Sequence, residues 1–313
     1  MIDPQRLVFV GAATIDTIAL VDRYPQADER VVVDQLARAG GGPAATAAVV
    51  AARAGHDVAV IAAVGDDDEA DEIVDGLARE GIDVSGITRR RGENSASTLI
   101  TVAASPPTRA MCSRTGPSLE LRAGQFQHAI DGASWVHVDH WGWPLIASMW
   151  PSLDPSHRPL LSVDDGHPGS SIDPAMTDLY VPTLAVLQQR SGTNSVAEAF
   201  AWSRTIGCAS VVATDGGAGS YGQAPEVPLF HEPAADVELV STLGAGDVFH
   251  GALISALAHG SSLRDAVRSA NDVAAASCAA LDGRTAIPYR DRTRTEDHDR
   301  QPPGHRMGET ERL

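Results

Sequence analysis

The sequence predicts an α/β protein: a doubly wound, mostly parallel sheet with helices on both faces, plus a small β lid. Three observations predict it. Short apolar runs at residues 7–10, 58–64, 135–138, 160–163 and 211–213 are bounded by turn residues and read as buried strands. Helical patterns at 43–54, 69–80, 195–205, 247–258 and 263–280 alternate with them, which implies parallel strands joined by right-handed crossovers. Residues 30–36 and 97–102 instead alternate apolar with polar residues and have little helix nearby. Such strands are half-exposed and belong to a small sheet outside the main layer, a lid or a dimer-forming flap.

The first strand is followed by a turn carrying Asp16, then by the first alternating segment. Gly40-Gly41-Gly42-Pro43 opens a helix of small residues, Ala44-Ala45-Thr46-Ala47-Ala48. Pro43 suits the first helical position, and three glycines permit close approach of a ligand to the backbone. Tight helix–sheet packing accounts for the alanines equally well. Thr214-Asp215-Gly216-Gly217-Ala218-Gly219 follows a buried strand, and Gly217, Gly219 and Gly222 match a G-x-G-x-x-G spacing. Gln223-Ala224-Pro225 cannot open a helix, so the dinucleotide reading fails, and a hairpin or loop bordering a nucleotide is expected.

Ser241-Thr242-Leu243-Gly244-Ala245-Gly246-Asp247 carries the clearest chemistry. Residues 237–240 read as a strand before it, and a helix follows. Gly244, Ala245 and Gly246 leave backbone N–H groups unobstructed at a helix N-terminus, where the dipole adds to them as an anion hole. Asp247 in the first turn is placed to take a proton from a hydroxyl. Phosphoryl transfer needs that pairing of base and fixed dipoles. By itself the stretch is also compatible with a glycine-rich turn whose carboxylate is favoured by the dipole.

Composition narrows the function further. Of 313 residues, 43% are hydrophobic and 21% charged, enough for a large core. Acidic residues outnumber basic ones by 41 to 24, a net charge of −17, which disfavours nucleic acid and anionic membrane as partners. All the basic residues are Arg. Without Lys there is neither a Walker-type P-loop nor Schiff-base or pyridoxal chemistry. Cys112, Cys208 and Cys278 have no motif spacing, so neither disulfides nor a zinc site are expected. No apolar run reaches membrane-spanning length and no signal-peptide pattern opens the chain, so a soluble, cytoplasmic protein is expected. His137, Asp139 and His140 do not converge on one face of a strand, so no metal site is expected there. From 289 to 313 the chain is polar and is expected to be a disordered tail.

In this order the three glycine-rich elements resemble the ribokinase (PfkB) family of carbohydrate kinases, over roughly residues 7–288. Asp16, the Val64-Gly65-Asp66-Asp67 turn, Arg109, Asn271 and residues 283–288 add to the resemblance. The resemblance implies a ribokinase-like kinase domain over 1–288, with lid strands at about 12–38 and 88–112 and Arg109 on the second outlying strand. It implies transfer of the γ-phosphoryl group of ATP to a primary hydroxyl. Asp247 would be the base and Gly244, Ala245 and Gly246 the anion hole. Asp16, Gly41, Gly42 and Thr46 would hold the sugar and Arg109 would neutralise phosphate, while Thr214, Gly216 and Gly219 would border ATP and Asn271 the adenine. Magnesium would arrive with ATP, held largely by phosphate oxygens and water.

The wording of residues 40–48 and 244–253 is similar to the sulfofructose-kinase branch, and residues 20–29 and 242–243 are similar to ketohexokinases, which implies a ketose-like acceptor. Four departures stand out. Ser241 replaces the carboxylate on which relatives organise a monovalent-cation site, so potassium dependence is doubtful. Thr46 replaces the usual Asn. Thr183 and Val186 stand where an N-x-x-E motif is usual, and residues 137–143, which should face the far end of the sugar, contain no Arg to receive a sulfonate. Rival readings are a nucleoside or other small-molecule kinase on the same fold, and a non-catalytic sugar-binding regulator. A homodimer through the lid strands is a further expectation.

Overall fold

The apolar runs form the middle of one nine-stranded sheet, and the alternating segments form a separate four-stranded one. The computed structural model describes residues 5–33, 35–104 and 107–289. In chain order the elements are β1 (Arg6–Val10), β2 (Thr14–Val21), β3 (Gln35–Gly41), α1 (Pro43–Arg53), β4 (Asp57–Val64), α2 (Asp68–Arg79), β5 (Ile87–Arg89), β6 (Ser97–Ala104) and β7 (Pro107–Arg114). Then come α3 (Ala123–Ala129), β8 (Trp135–Val138), α4 (Trp143–Met149), β9 (Leu160–Asp165), β10 (Leu179–Pro182), α5 (Leu184–Ser191), α6 (Val196–Thr205) and β11 (Ser210–Thr214). A hairpin of β12 (Ser220–Ala224) and β13 (Val227–Glu232) and the helices α7 (Ala245–Ala258) and α8 (Leu263–Ser277) complete the described chain.

The large sheet has the order β13-β12-β11-β10-β9-β8-β1-β4-β5. It is parallel from β11 through β5, while the β12–β13 hairpin is antiparallel at one edge. Its central strands are apolar on both sides because helices cover both faces. Alternate residues of β1 divide between two cores: Leu7 and Phe9 pack with α1, α7 and α8, whereas Val8 and Val10 pack with α4, α5 and α6. The small side chains of α1 matter here, since Ala44 to Ala51 are all buried where α1 meets α7 and the sheet.

The lid has the order β3-β2-β6-β7. Ile18 and Ile100 are paired in register, and with Val102 they pack against Leu243 and Leu281 of the main body. The opposite lid face exposes Leu36 at 69% and Leu99 at 55%.

Several sequence expectations need correction. The strand expected at 30–36 begins at Gln35, and 30–33 have no regular structure. Arg109 lies on β7, not on the 97–104 strand. Residues 237–240 form no strand: Val237 and Leu239 are exposed, and the amides of Val240 and Ser241 bond to the carbonyl of Cys278 instead of a ladder. The last helix ends at Ser277. Strand β10 and helices α3, α4 and α5 were not expected, while β2 and most of β7 fall within the expected lid ranges. Apart from Tyr289, the expected polar tail lies outside the described residues.

Candidate active site

The C-terminal ends of the parallel strands, the N-termini of α1 and α7, and the inner face of the lid meet at one place. This is where doubly wound sheets bind ligands.

Gly244 adopts φ +73 as the N-cap of α7, a left-handed conformation that favours glycine. The first bond of the helix runs from Val248 N to Gly244 O at 2.9 Å, and the amides of Gly246 and Asp247 have no protein acceptor among the described residues. A Cβ at Gly246 would meet nothing within 4 Å. These amides at a positive dipole end form an open anion cradle. Arg109 reaches it from the lid, its Nη1 donating to Thr242 Oγ1 at 2.9 Å.

Asp247 projects from the first turn beside these amides. Burial, and then the charge of Asp164, push its carboxyl up to about 7. Asp164, next to last in β9, receives His250 Nε2 at 3.2 Å. Burial would raise Asp164, but the charge and hydrogen bond of His250 hold it below the usual carboxylate range. Desolvation would lower His250, but the charge and hydrogen bond of Asp164 together with the charges of Asp247 and Asp139 outweigh it and raise the imidazole. His137 packs on His250 at 5.1 Å between ring centroids, bonds Ser162 at 3.2 Å, and is pushed down to about 3 by burial. Beneath the base lies a buried His–Asp pair, which sequence reasoning missed. The available signal was His250 one helical turn after Asp247, facing an Asp at the end of a buried strand.

The second group surrounds the start of α1. Asp16 accepts from Thr14 Oγ1 at 3.0 Å on the inner lid face, and burial raises its carboxyl. Gly41 backs onto Asp16. Gly42 takes φ +91, and a Cβ there would run into the carbonyl of Ala12. Thr46 is buried and accepts from Arg284 Nε at 3.1 Å, while Arg284 Nη2 donates to Gly41 O at 2.8 Å. Arg284, absent from the sequence expectations as a site residue, feels the charges of both Asp16 and Asp247. It joins the two groups. The Gly41–Thr46 group and the Asp247 group are thus brought together through one guanidinium.

Asp139 is the buttress behind them. It is fully buried and accepts from the amides of Ala12, Ala44, Trp141 and Gly142 at 2.8, 3.2, 2.8 and 2.8 Å. Burial raises it to about 6, the amides opposing. It is thereby committed to fixing the loop after β1 and the start of α1. Among the described residues no group of three or more His, Cys, Asp or Glu side chains is arranged to hold a metal ion. Trp143 is buried and Trp141 half-exposed on the surface at 51%.

The third group is set apart along the hairpin. Thr214 ends β11, Gly216 lies in a short 3-10 turn with nothing within 4 Å of an added Cβ, and Gly219 backs onto the carbonyl of Glu232. Asn271 is buried, with Oδ1 accepting from Ser220 at 2.8 Å and Nδ2 donating to the carbonyls of Glu232 and Pro233 at 3.0 and 3.2 Å. Its amide is occupied by the hairpin. Glu232, held by Arg264 and Arg268, fastens the same hairpin to α8. At the site of the missing N-x-x-E motif, Thr183 caps α5 by accepting from Val186 N at 3.3 Å, and Val186 is buried.

The open amides at α7 and the open glycines at 216 and 246 suit nucleotide phosphates. The pfkB family carbohydrate kinase profile matches residues 4–140 and 175–290. Mouse ketohexokinase is 24% identical over 88% of this chain and 97% of its own. The chain spans 55% of the length of a Fructilactobacillus sanfranciscensis bifunctional ribokinase/ribose-5-phosphate isomerase A, with 23% identity over 92% of this chain. A putative ribokinase from Agrobacterium tumefaciens superposes with a TM-score of 0.80 at 26% identity, over 91% of this chain and 95% of that one. Arabidopsis thaliana ribokinase complexed with ribose and ATP superposes at 0.77 with 18% identity, over 91% and 96%.

Proposed function

The chain belongs to the PfkB family of carbohydrate kinases, and from that premise we propose that it transfers the γ-phosphoryl group of ATP to a primary hydroxyl of a ketose-like sugar, sulfofructose- or fructose-like. The carrying observation is Asp247 in the first turn of α7, a carboxyl poised near 7 beside two unpaired amides.

Asp16 and the backbone at Gly41 and Gly42 orient the sugar beneath the lid. Asp247 takes the hydroxyl proton as that oxygen bonds to the γ-phosphorus and the bond to the bridging oxygen of ADP breaks. The amides of Gly246 and Asp247, with Arg109, balance the charge on the transferred group. Magnesium, when bound with the nucleotide, supplies further neutralisation through phosphate oxygens and water. Thr214, Gly216 and Gly219 border the nucleotide, and Asn271 keeps that border in place. With Ser241 buried and capping Leu243 N at 3.1 Å, potassium dependence is not part of this reading. A lid-to-lid dimer is, supported by Leu36 and Leu99 on the same outer lid face.

A second reading, a non-catalytic sugar-binding regulator, is favoured by one observation: Thr183 and Val186 cap and pack α5 where magnesium-positioning groups are usual. ADP release across fructose, sulfofructose, fructose phosphates, tagatose, ribose and adenosine separates the two. Turnover confined to a ketose supports the kinase; sugar binding with no ADP release supports the regulator.

A further inference from the structure

Beside the lid, a cavity of about 570 Å³ lies between β3, α2 and the loop after α8. That size suits a small molecule. Its walls include Thr14, Arg38, Gly40, Arg79, Arg284 and Thr285. Two carboxylates also border it, and each is already paired: Glu72 with Arg38 at 2.7 and 2.8 Å, and Glu80 with Arg53 at 2.7 and 3.0 Å. Arg79 uses its Nε on the carbonyl of Asp75, and it has no carboxylate within 4 Å among the described residues. Arg284 has none either. Its hydrogen bonds go to a hydroxyl and a carbonyl, both neutral.

Arg284 is half-buried, and a guanidinium partly withdrawn from water without a contact ion pair gains from a ligand that completes it. Burial pulls Arg284 down to about 10 even though Asp16, Asp247 and Glu80 oppose that, with Arg53 adding to it. Nη1 takes no acceptor among the described residues and borders Gly40, where any Cβ would collide with it. Glycine at 40 therefore leaves the cavity-side edge of the fork clear. A planar fork with an open edge is matched to a tetrahedral or planar oxyanion.

We infer that this cavity binds a small oxyanion (sulfonate, phosphate or carboxylate) at the open edge of Arg284; the hydroxyls of Thr14 and Thr285 on its wall already donate to Asp16 and Asp282, so the guanidinium is the donor that holds the anion. Nε and Nη2 of the same guanidinium hold Thr46 and Gly41, so occupancy of the cavity is felt at the acceptor site. The anion is either the acceptor's own charged group or a separate effector. Only the first source rests on the kinase reading.

The test titrates the protein with sodium sulfate at constant ionic strength, with saturating AMP-PNP present to occupy the α7 amides. One saturable site is expected, weakened at least tenfold in Arg284→Gln and partly restored in Arg284→Lys. Gly76→Glu is the second variant, since α2 has open space at Gly76 beside Arg79 and a carboxylate there repels an anion while leaving Arg284 in place. It too should lose sulfate. Absence of saturable binding in the wild type, or undiminished binding in Gly76→Glu, overturns the inference. In a second arm, kcat/KM for 6-deoxy-6-sulfofructose relative to fructose falls at least tenfold in Gly76→Glu if the anion belongs to the acceptor. A ratio that stays put while sulfate still requires Arg284 identifies a separate effector. Failure of AMP-PNP to bind, with Arg284-dependent sulfate binding intact, would count against the kinase reading and leave the anion site standing.

Discussion

Asp247→Asn separates catalysis from folding at a single atom. The substitution keeps the shape of the side chain and removes the proton acceptor. Loss of a general base costs about a hundred- to ten-thousand-fold in kcat, or about 3–5 kcal/mol in the barrier. Stability should move the other way. The carboxyl rises from 3.8 to about 7 on folding, so between those values the unfolded chain sheds a proton that the folded chain keeps. Stability therefore falls as pH rises through this window, and above about 7 the full penalty is present. At about 1.4 kcal/mol per pH unit the ceiling is about 4 kcal/mol, and a side chain facing an open site should realise about 1–2 kcal/mol. Asn carries no such penalty. At pH 8 the variant should therefore melt about 2–6 °C higher than wild type while its turnover collapses. Calorimetry and coupled ADP-release kinetics on the same preparations check both halves. A variant within threefold of wild-type kcat would remove Asp247 as the base. A lower Tm would refute the electrostatic account of its environment.

Wild-type kcat/KM should rise with pH through about 7 as Asp247 loses its proton, and Asp164→Asn should move that limb to lower pH because one raising charge is gone. The same change strands His250 and should cost about 3–5 kcal/mol in urea unfolding. Arg109→Ala, on an exposed side chain, should leave Tm within about 1 °C and lower kcat/KM for ATP by about tenfold. Asn271→Ala removes bonds to Ser220, Glu232 and Pro233 and should cost about 2–3 kcal/mol together with a raised KM for ATP. A raised KM with unchanged stability would restore direct nucleotide contact to Asn271.

The central strands were legible because strands covered on both faces are apolar throughout, as in Leu7 to Val10 and Val58 to Val64. The lid was legible only in outline. Its strands alternate, and the apolar residues at 31–33 carry strand-like composition ahead of the point where β3 begins at Gln35. Val237 and Leu239 mislead for a related reason: apolar composition without a neighbouring strand makes no ladder, and the end of α8 takes the following amides. Asp247 and its glycines could be read locally, since an anion cradle and its base occupy one turn of helix. Arg284 could not, because its meaning depends on the fold bringing residue 284 against residues 41 and 46. The same holds for Asp139, whose acceptor atoms collect amides from loops more than ninety residues apart in sequence. The absence of Arg from 137–143 suggested a site lacking a cation, and in the structure Arg284 lies against Gly41 and Thr46.

The most direct test of the central claim is the fate of the γ-phosphoryl group, followed by 31P and 13C NMR during turnover of ATP with a 13C-labelled ketose. The account predicts a phosphate ester on a primary carbon of the sugar, formed one-for-one with ADP and absent with Asp247→Asn. Phosphate released only to water, or an ester formed equally well by the Asn variant, would contradict it.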